Sequence, residues 1–312
     1  MAKNTNSVEN TGFSNNAAAE GSRLANKDGS YNIRKVGLPF LQHYSVMHTL
    51  IRMKNSHFFL LVFAFYFSVN LCFALVYYFF GIQDLQGVVT GNGAMHDFLQ
   101  AFFFSAQTIT TVGYGHIHPT SILTNVLAAI ESFLGILTFA VITGLLYARF
   151  SQPWAYLKFS ENLLLAPFRE GKALMFRVAA FKNNNLINVS AQVFITLHEK
   201  EDGKVIAKFY NLDLQINQVN SLATSWTIVH PITEKSPIAN KSLADLIEAR
   251  TEVLVQIQGM DDQLYHTVQQ KTSYLATEIV DNAMFNPILS RSSDGRFSLV
   301  DISQLNDHSV LD

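Results

Sequence analysis

The sequence predicts an α+β membrane protein: two membrane-crossing helices with a short re-entrant helix between them, followed by a cytoplasmic β-sandwich. Three observations predict it. None of the 22 Lys and Arg residues in the 312-residue chain falls between positions 55 and 148, so the central third has no cation to hold it in water. Within that third, the runs 58–80 and 122–148 carry no charge except Glu131, and each exceeds the roughly 20 residues a helix needs to cross the hydrocarbon. After Arg149 the pattern changes to period two, with Ile187, Val189, Ala191, Val193, Ile195 and Leu197 in alternation.

Composition excludes several function classes. With 49% hydrophobic and only 15% charged residues, the chain is too apolar for an ordinary soluble domain, and a net charge of -2 gives no reason to expect a nucleic-acid partner. The single cysteine, Cys72, closes no intrachain disulfide and cannot by itself complete a zinc site. An enzyme would need a nucleophile and base or a nucleotide cradle, and Gly171, Gly203, Gly259 and Gly295 are too scattered for a phosphate loop. The chain therefore reads as a non-enzyme with no cofactor.

The elements follow in order. Residues 1–30, rich in Asn, Ala and Ser without an apolar core segment, read as a disordered tail rather than a signal peptide. In 31–54, Pro39 opens an amphipathic helix whose Phe40, Tyr44, Met47 and Ile51 form one apolar stripe, expected to lie flat on the inner interface. Arg34, Lys35, Arg52 and Lys54 precede the first span (57–80), and Arg149, Lys158, Arg169 and Lys172 follow the second (120–149). This bias places both termini in the cytoplasm and the chain in the inner membrane, within a pore domain over 55–150. Residues 81–93 have the Gly, Gln and Asn of an exposed turret. Asp97 begins an aromatic helix over 97–109, too short to span, which must enter the membrane and return. The sandwich occupies 151–289, with a hairpin at Asp202 and Gly203 joining strands near 186–197 and 205–214. Further strands are expected near 226–229, 253–257 and 265–279, with a helix over 242–250 capped by Ser242 and Asp245. Residues 290–312, rich in Ser and Asp, are expected to fray.

The strongest chemical signal is Thr111-Val112-Gly113-Tyr114-Gly115, between the re-entrant helix and the second span. Two glycines let successive carbonyls turn toward one axis, and Thr111 adds its hydroxyl below them. Four copies would stack rings of oxygens from Thr111, Val112, Gly113 and Tyr114 around a dehydrated K+ ion, which demands a homotetramer. His116 and His118, with no carboxylate nearby, read as polar vestibule residues rather than a metal pair.

These segments resemble the prokaryotic inward-rectifier potassium channels, the KirBac family, from about Tyr31 to Leu289. The membrane part is similar through Ala101-Phe102-Phe103-Phe104-Ser105, the filter motif and Gly144-Leu145-Leu146-Tyr147-Ala148-Arg149-Phe150. The cytoplasmic part is similar through Arg177-Val178-Ala179, Trp226-Thr227-Ile228-Val229-His230-Pro231-Ile232 and Ser236-Pro237. The resemblance implies passive potassium permeation with voltage-independent gating at an inner-helix bundle crossing, coupled to an immunoglobulin-like cytoplasmic sandwich. It implies that Gly135 and Gly144 are the inner-helix glycines, either bending points or close helix contacts. Tyr147 matches the bulky gate residue, with an interfacial anchor as the alternative.

The departures are informative. Gln107 and Ile117 stand where many relatives pair Glu with Arg. Phe139 stands where eukaryotic members have a carboxylate that holds blocking cations, so Mg2+ or polyamine is expected to block weakly. Of the aligned lipid-binding positions Arg149, Gln152, Trp154, Ala155 and Tyr156, only Arg149 is basic, leaving weak contact with anionic lipid. Glu131 is assigned first to filter support through pore-helix groups such as Gln107, with ion attraction second. A membrane-tethered sensor that conducts little is the competing class, and potassium flux separates the two.

Overall fold

The computed structural model describes residues 23–311 apart from 35, 38, 40–44, 90, 92, 183, 184, 202 and 203. The chain divides into two compact units, one of residues 36–152 and one of residues 153–312 together with the stretch up to 35.

In the first unit, helix α1 (Val46–Arg52) carries Met47 and Ile51 of the expected amphipathic stripe, while Phe40 and Tyr44 lie outside the described residues. The two apolar runs form α2 (Asn55–Phe80) and α4 (Ile122–Phe150), of 26 and 29 residues, each with an 18-residue stretch of mean hydropathy 2.3 and 2.1 respectively. At 1.5 Å per residue they extend about 39 and 44 Å, enough to cross the hydrocarbon with tilt. Helix α2 buries only Phe58, Asn70, Ala74 and Tyr77, the last three spaced to lie on one face. Between the spans, α3 (Ala94–Ile109) begins three residues earlier than the sequence suggests, after Gly93, with Asp97 in its first turn. Its length of about 24 Å still cannot span. Ala101, Phe104 and Ser105 are buried, and Phe104 meets Tyr77 edge to face at 5.0 Å. Strands β1 (Leu85–Gln86) and β2 (His118–Pro119) pair antiparallel, tying the turret to the segment after the filter motif.

The second unit is a two-sheet sandwich. One sheet contains β3 (Leu157–Phe159), β4 (Leu163–Phe168), β5 (Gly171–Ala180), β9 (Ser225–Pro231) and β12 (Ile279–Asp281), ordered β12-β4-β5-β3 with β9 also on β5. The other contains β6 (Leu186–Glu201), β7 (Lys204–Asn211), β8 (Gln218–Leu222), β10 (Glu252–Asp261) and β11 (Thr267–Leu275), ordered β11-β10-β6-β7 with β8 also on β6. Leu163, Phe176 and Ile228 from the first meet Val193, Ile195, Val255 and Ile257 from the second in one core.

The inward positions read from the sequence hold from Val189 to Leu197 but not at Ile187, and Thr196 on the opposite face is buried as well. Asn188 adopts a left-handed φ of 51° and the β6–β10 register shifts beside it, so Leu186 fills the core instead. The hairpin expected at Asp202 and Gly203 lies outside the described residues. Helix α5 (Leu243–Glu248) starts as expected, with a reciprocal cap in which Ser242 Oγ accepts from Asp245 N and Asp245 accepts from Ser242 N. Within the family-like motif, buried His230 binds the Asp213 carbonyl at 2.6 Å and Ser236 Oγ at 2.8 Å. Burial holds this imidazole below its usual pKa, so it joins two loops as a neutral group.

Two expected tails are structured instead. Leu24 and Ala25, placed on composition in a disordered segment, are buried against Ala207, Phe209 and Leu254. Their N–H groups donate to the two Glu252 carboxylate oxygens at 2.7 and 3.0 Å, and Arg23 pairs with Glu278 at 3.0 Å. Composition misjudged this stretch because its anchors lie more than 220 residues away. At the other end, β13 (Ala283–Phe285) pairs with β16 (His308–Val310) and β14 (Leu289–Arg291) with β15 (Ser298–Val300). Ile288 and Leu305 are buried against Ala179, so 290–311 is built onto the sandwich rather than frayed.

Candidate ion pathway

At its carboxyl end, α3 turns back sharply. The Gln107 carbonyl accepts from Val112 N at 3.0 Å and Gly113 N at 3.3 Å, while Thr111 N donates to the Thr108 carbonyl at 3.0 Å. Beyond this turn the backbone alternates in hand: Thr111, Gly113 and Gly115 have φ of 58°, 54° and 79°, with Val112 and Tyr114 at negative φ between them. Alternating hands place successive N–H groups on one side and successive carbonyls on the other, unlike a strand, in which they alternate. Two glycines make this accessible, but Thr111 was not expected to share the conformation; a threonine held there costs of order 1–2 kcal/mol.

Behind the motif, α2, α3 and α4 meet at one buried carboxylate. Glu131 on α4 is fully buried. Its carboxylate accepts from Tyr77 Oη of α2 at 2.8 Å and from Ser105 Oγ of α3 at 2.5 Å. Ser105 Oγ also lies 3.2 Å from Asn70 Oδ1, and Asn70 Nδ2 donates to the Tyr66 carbonyl at 2.8 Å. The partners of the Glu131 carboxylate are thus Tyr77 and Ser105 rather than Gln107, which contributes its main-chain carbonyl to the turn after α3. Ile117, where a cation stands in many relatives, packs against the cluster of Tyr77, Leu85, Ala101 and Phe104. Asn70 was legible in principle, as the only amide side chain in the run 58–80.

The two inner-helix glycines differ. A Cβ at Gly135 would lie 1.9 Å from the Ile109 carbonyl oxygen, so this glycine permits close contact with the end of α3. A Cβ at Gly144 meets nothing within 4 Å. Phe139 and Tyr147, both 74% exposed in the single chain, project from α4. His116 and His118 are exposed, His118 Nε2 lies 3.1 Å from Gln86 Oε1, and among the described residues no group of three or more potential metal ligands occurs.

Arg149 caps the carboxyl end of α1. Its guanidinium donates to the carbonyls of Leu50, Ile51 at 3.1 Å and Met53 at 2.7 Å, and to Asn55 Oδ1, while stacking over the Phe58 ring at 4.6 Å. A cation at the carboxyl end of α1 satisfies orphan carbonyls and complements the helix dipole. Arg149→Ala is expected to lower the thermal midpoint of the purified protein by the equivalent of about 1–3 kcal/mol per chain. Arg149→Lys should recover only part, because an ammonium cannot reproduce the planar fork. An unchanged midpoint in the alanine variant would show that the clamp carries no stability.

Comparison with known proteins agrees with this geometry. Residues 157–311 match the inward rectifier potassium channel C-terminal domain, and residues 65–152 match the ion channel family. The inward rectifier potassium channel Kirbac3.1 of Paramagnetospirillum magnetotacticum is 32% identical over 282 residues, covering 89% of this chain and 92% of the relative. The G protein-activated inward rectifier potassium channel 4 of Bos taurus is 30% identical over 204 residues, 62% of this chain and 48% of that one. The G protein-activated inward rectifier potassium channel 2 of Homo sapiens is 27% identical over 293 residues, 86% of this chain and 68% of that one. With a channel match over the membrane unit, a C-terminal-domain match over the sandwich and a relative aligned along most of its length, the chain belongs to the inward rectifier potassium channel family.

Proposed function

We propose that K+ permeates through four copies of Thr111–Gly115 around the axis of a homotetramer, the carbonyls of Thr111, Val112, Gly113 and Tyr114 replacing the ion's water shell. The alternating backbone hand of residues 111–115 carries this reading, because it turns a row of carbonyls to one side without help from side chains. The cation bias flanking the two spans supports cytoplasmic termini in an inner membrane. Potassium flux from liposomes containing purified protein tests the assignment against a tethered sensor: uptake driven by a K+ gradient is expected, and none would favour the sensor.

Tyr147 narrows the intracellular end of this path. It lies on the last turn of α4 and is 74% exposed in the single chain, as a residue facing partner copies across an axis must be. Tyr147→Ala should raise resting flux by widening and wetting the constriction. Equal access of internal thiol reagents past this level in both proteins, with Cys72 removed beforehand, would place the gate elsewhere.

Block by internal Mg2+ or polyamine is weak in this reading. Phe139 offers a neutral ring where a carboxylate would attract a desolvated polycation, and buried Glu131 does not substitute for it. Phe139→Asp should strengthen voltage-dependent spermine block markedly. Strong block in the wild type that vanishes in Glu131→Gln would contradict this account. Anionic lipid is sensed weakly, since the one basic residue at the aligned positions already binds the end of α1.

A further inference from the structure

We infer that the buried hydrogen-bonded group Asn70, Ser105, Glu131 and Tyr77 positions the selectivity filter by fixing the register of the pore helix against both spans. The inference rests on the assignment of residues 111–115 as the filter.

All four side chains are fully buried where α2, α3 and α4 pack together. Apolar packing would hold three helices together at least as well as a buried carboxylate does, but it tolerates sliding. Directional bonds do not. Glu131 receives one hydroxyl from each of the other two helices, Tyr77 of α2 and Ser105 of α3, so it fixes both against α4 at one point.

Two further contacts continue the register. Ser132 Oγ lies 3.4 Å from the Thr108 carbonyl, and Gly135 sits against the Ile109 carbonyl. Positions 131, 132 and 135 of α4 thus advance in step with 105, 108 and 109 of α3. Gln107 lies inside that interval, and its carbonyl anchors Val112 N and Gly113 N. A slip of one residue along α3 moves this anchor about 1.5 Å. Selectivity depends on the number and placement of carbonyl dipoles around the ion, so the displacement is felt as lost discrimination.

Tyr77, Ser105 and Glu131 are therefore positioning residues that never touch the ion. The test uses purified tetramers of Glu131→Gln, Tyr77→Phe, Ser105→Ala and the Tyr77→Phe/Glu131→Gln double variant in planar bilayers. The readout is Na+ permeability relative to K+, from reversal potentials. Glu131→Gln is expected to raise that ratio about tenfold, as the loss of one buried hydrogen bond felt at the filter. Tyr77→Phe and Ser105→Ala should shift it in the same direction by less, and the double variant no further than Glu131→Gln alone. Variants that melt earlier yet keep wild-type reversal potentials would overturn the inference, since these groups would then only hold helices together. Additive shifts in the double variant would also overturn it. If Glu131→Gln does not assemble, unchanged reversal potentials in Tyr77→Phe and Ser105→Ala decide against it. A wild type that conducts without preferring K+ would overturn the filter assignment itself.

Discussion

Gly113→Ala is expected to abolish potassium-selective flux while leaving the sandwich folded. Gly113 has φ of 54°, and a Cβ there would meet nothing within 4 Å in its own chain, so the penalty is conformational rather than steric. A side-chained residue in this region costs of order 1–2 kcal/mol, incurred four times around one axis in the tetramer. Thr111 already occupies the same region without a glycine's freedom, which leaves little tolerance for a second such residue. Gly144→Ala is the control, because it has open space and no left-handed φ, and it should leave the permeability ratio unchanged. Selective flux in Gly113→Ala equal to wild type would remove the filter from these residues.

Gly135→Ala should fail differently, at assembly. The added methyl would lie 1.9 Å from the Ile109 carbonyl oxygen and 2.8 Å from its carbon. Both are backbone atoms at the end of the pore helix, so the clash is relieved only by parting α3 from α4. Overpacking of this kind costs about 1–3 kcal/mol per chain, and it displaces the same helix end that carries the filter. A tetramer that dissociates or melts well below the wild type is expected by size exclusion and thermal unfolding in detergent. Wild-type behaviour on both would mean that the two helices part at little cost.

The membrane architecture was legible because hydrocarbon imposes blunt requirements: an uncharged run of sufficient length, a segment too short to span, and a motif between them. The sandwich was legible where every second residue of a strand enters the core, as from Val189 to Leu197. It was not legible in β4 and β5, whose Leu163–Ala166 and Ala173–Ala179 are buried on both faces and show no alternation. The stretch at Leu24 and the segment after residue 290 were misread for another reason: polar segments ordered by distant partners, such as Glu252, leave no local signature. In the pathway, Glu131 stood out as the one charge in a span, yet its partners did not, because Tyr77 and Ser105 are ordinary residues until three helices bring their hydroxyls to one carboxylate. Arg149 shows the same limit in reverse, since its charge was evident but the carbonyls it caps belong to a helix end about 100 residues earlier.

The most direct test of the account is the reversal potential of purified wild-type channels in a planar bilayer with K+ on one side and Na+ on the other. Oxygen rings from Thr111 to Tyr114 that replace the water shell of K+ predict a reversal potential far toward the value at which only K+ carries current, lost in Gly113→Ala and kept in Gly144→Ala. A wild-type reversal potential near zero, with current carried equally by both ions, would contradict it.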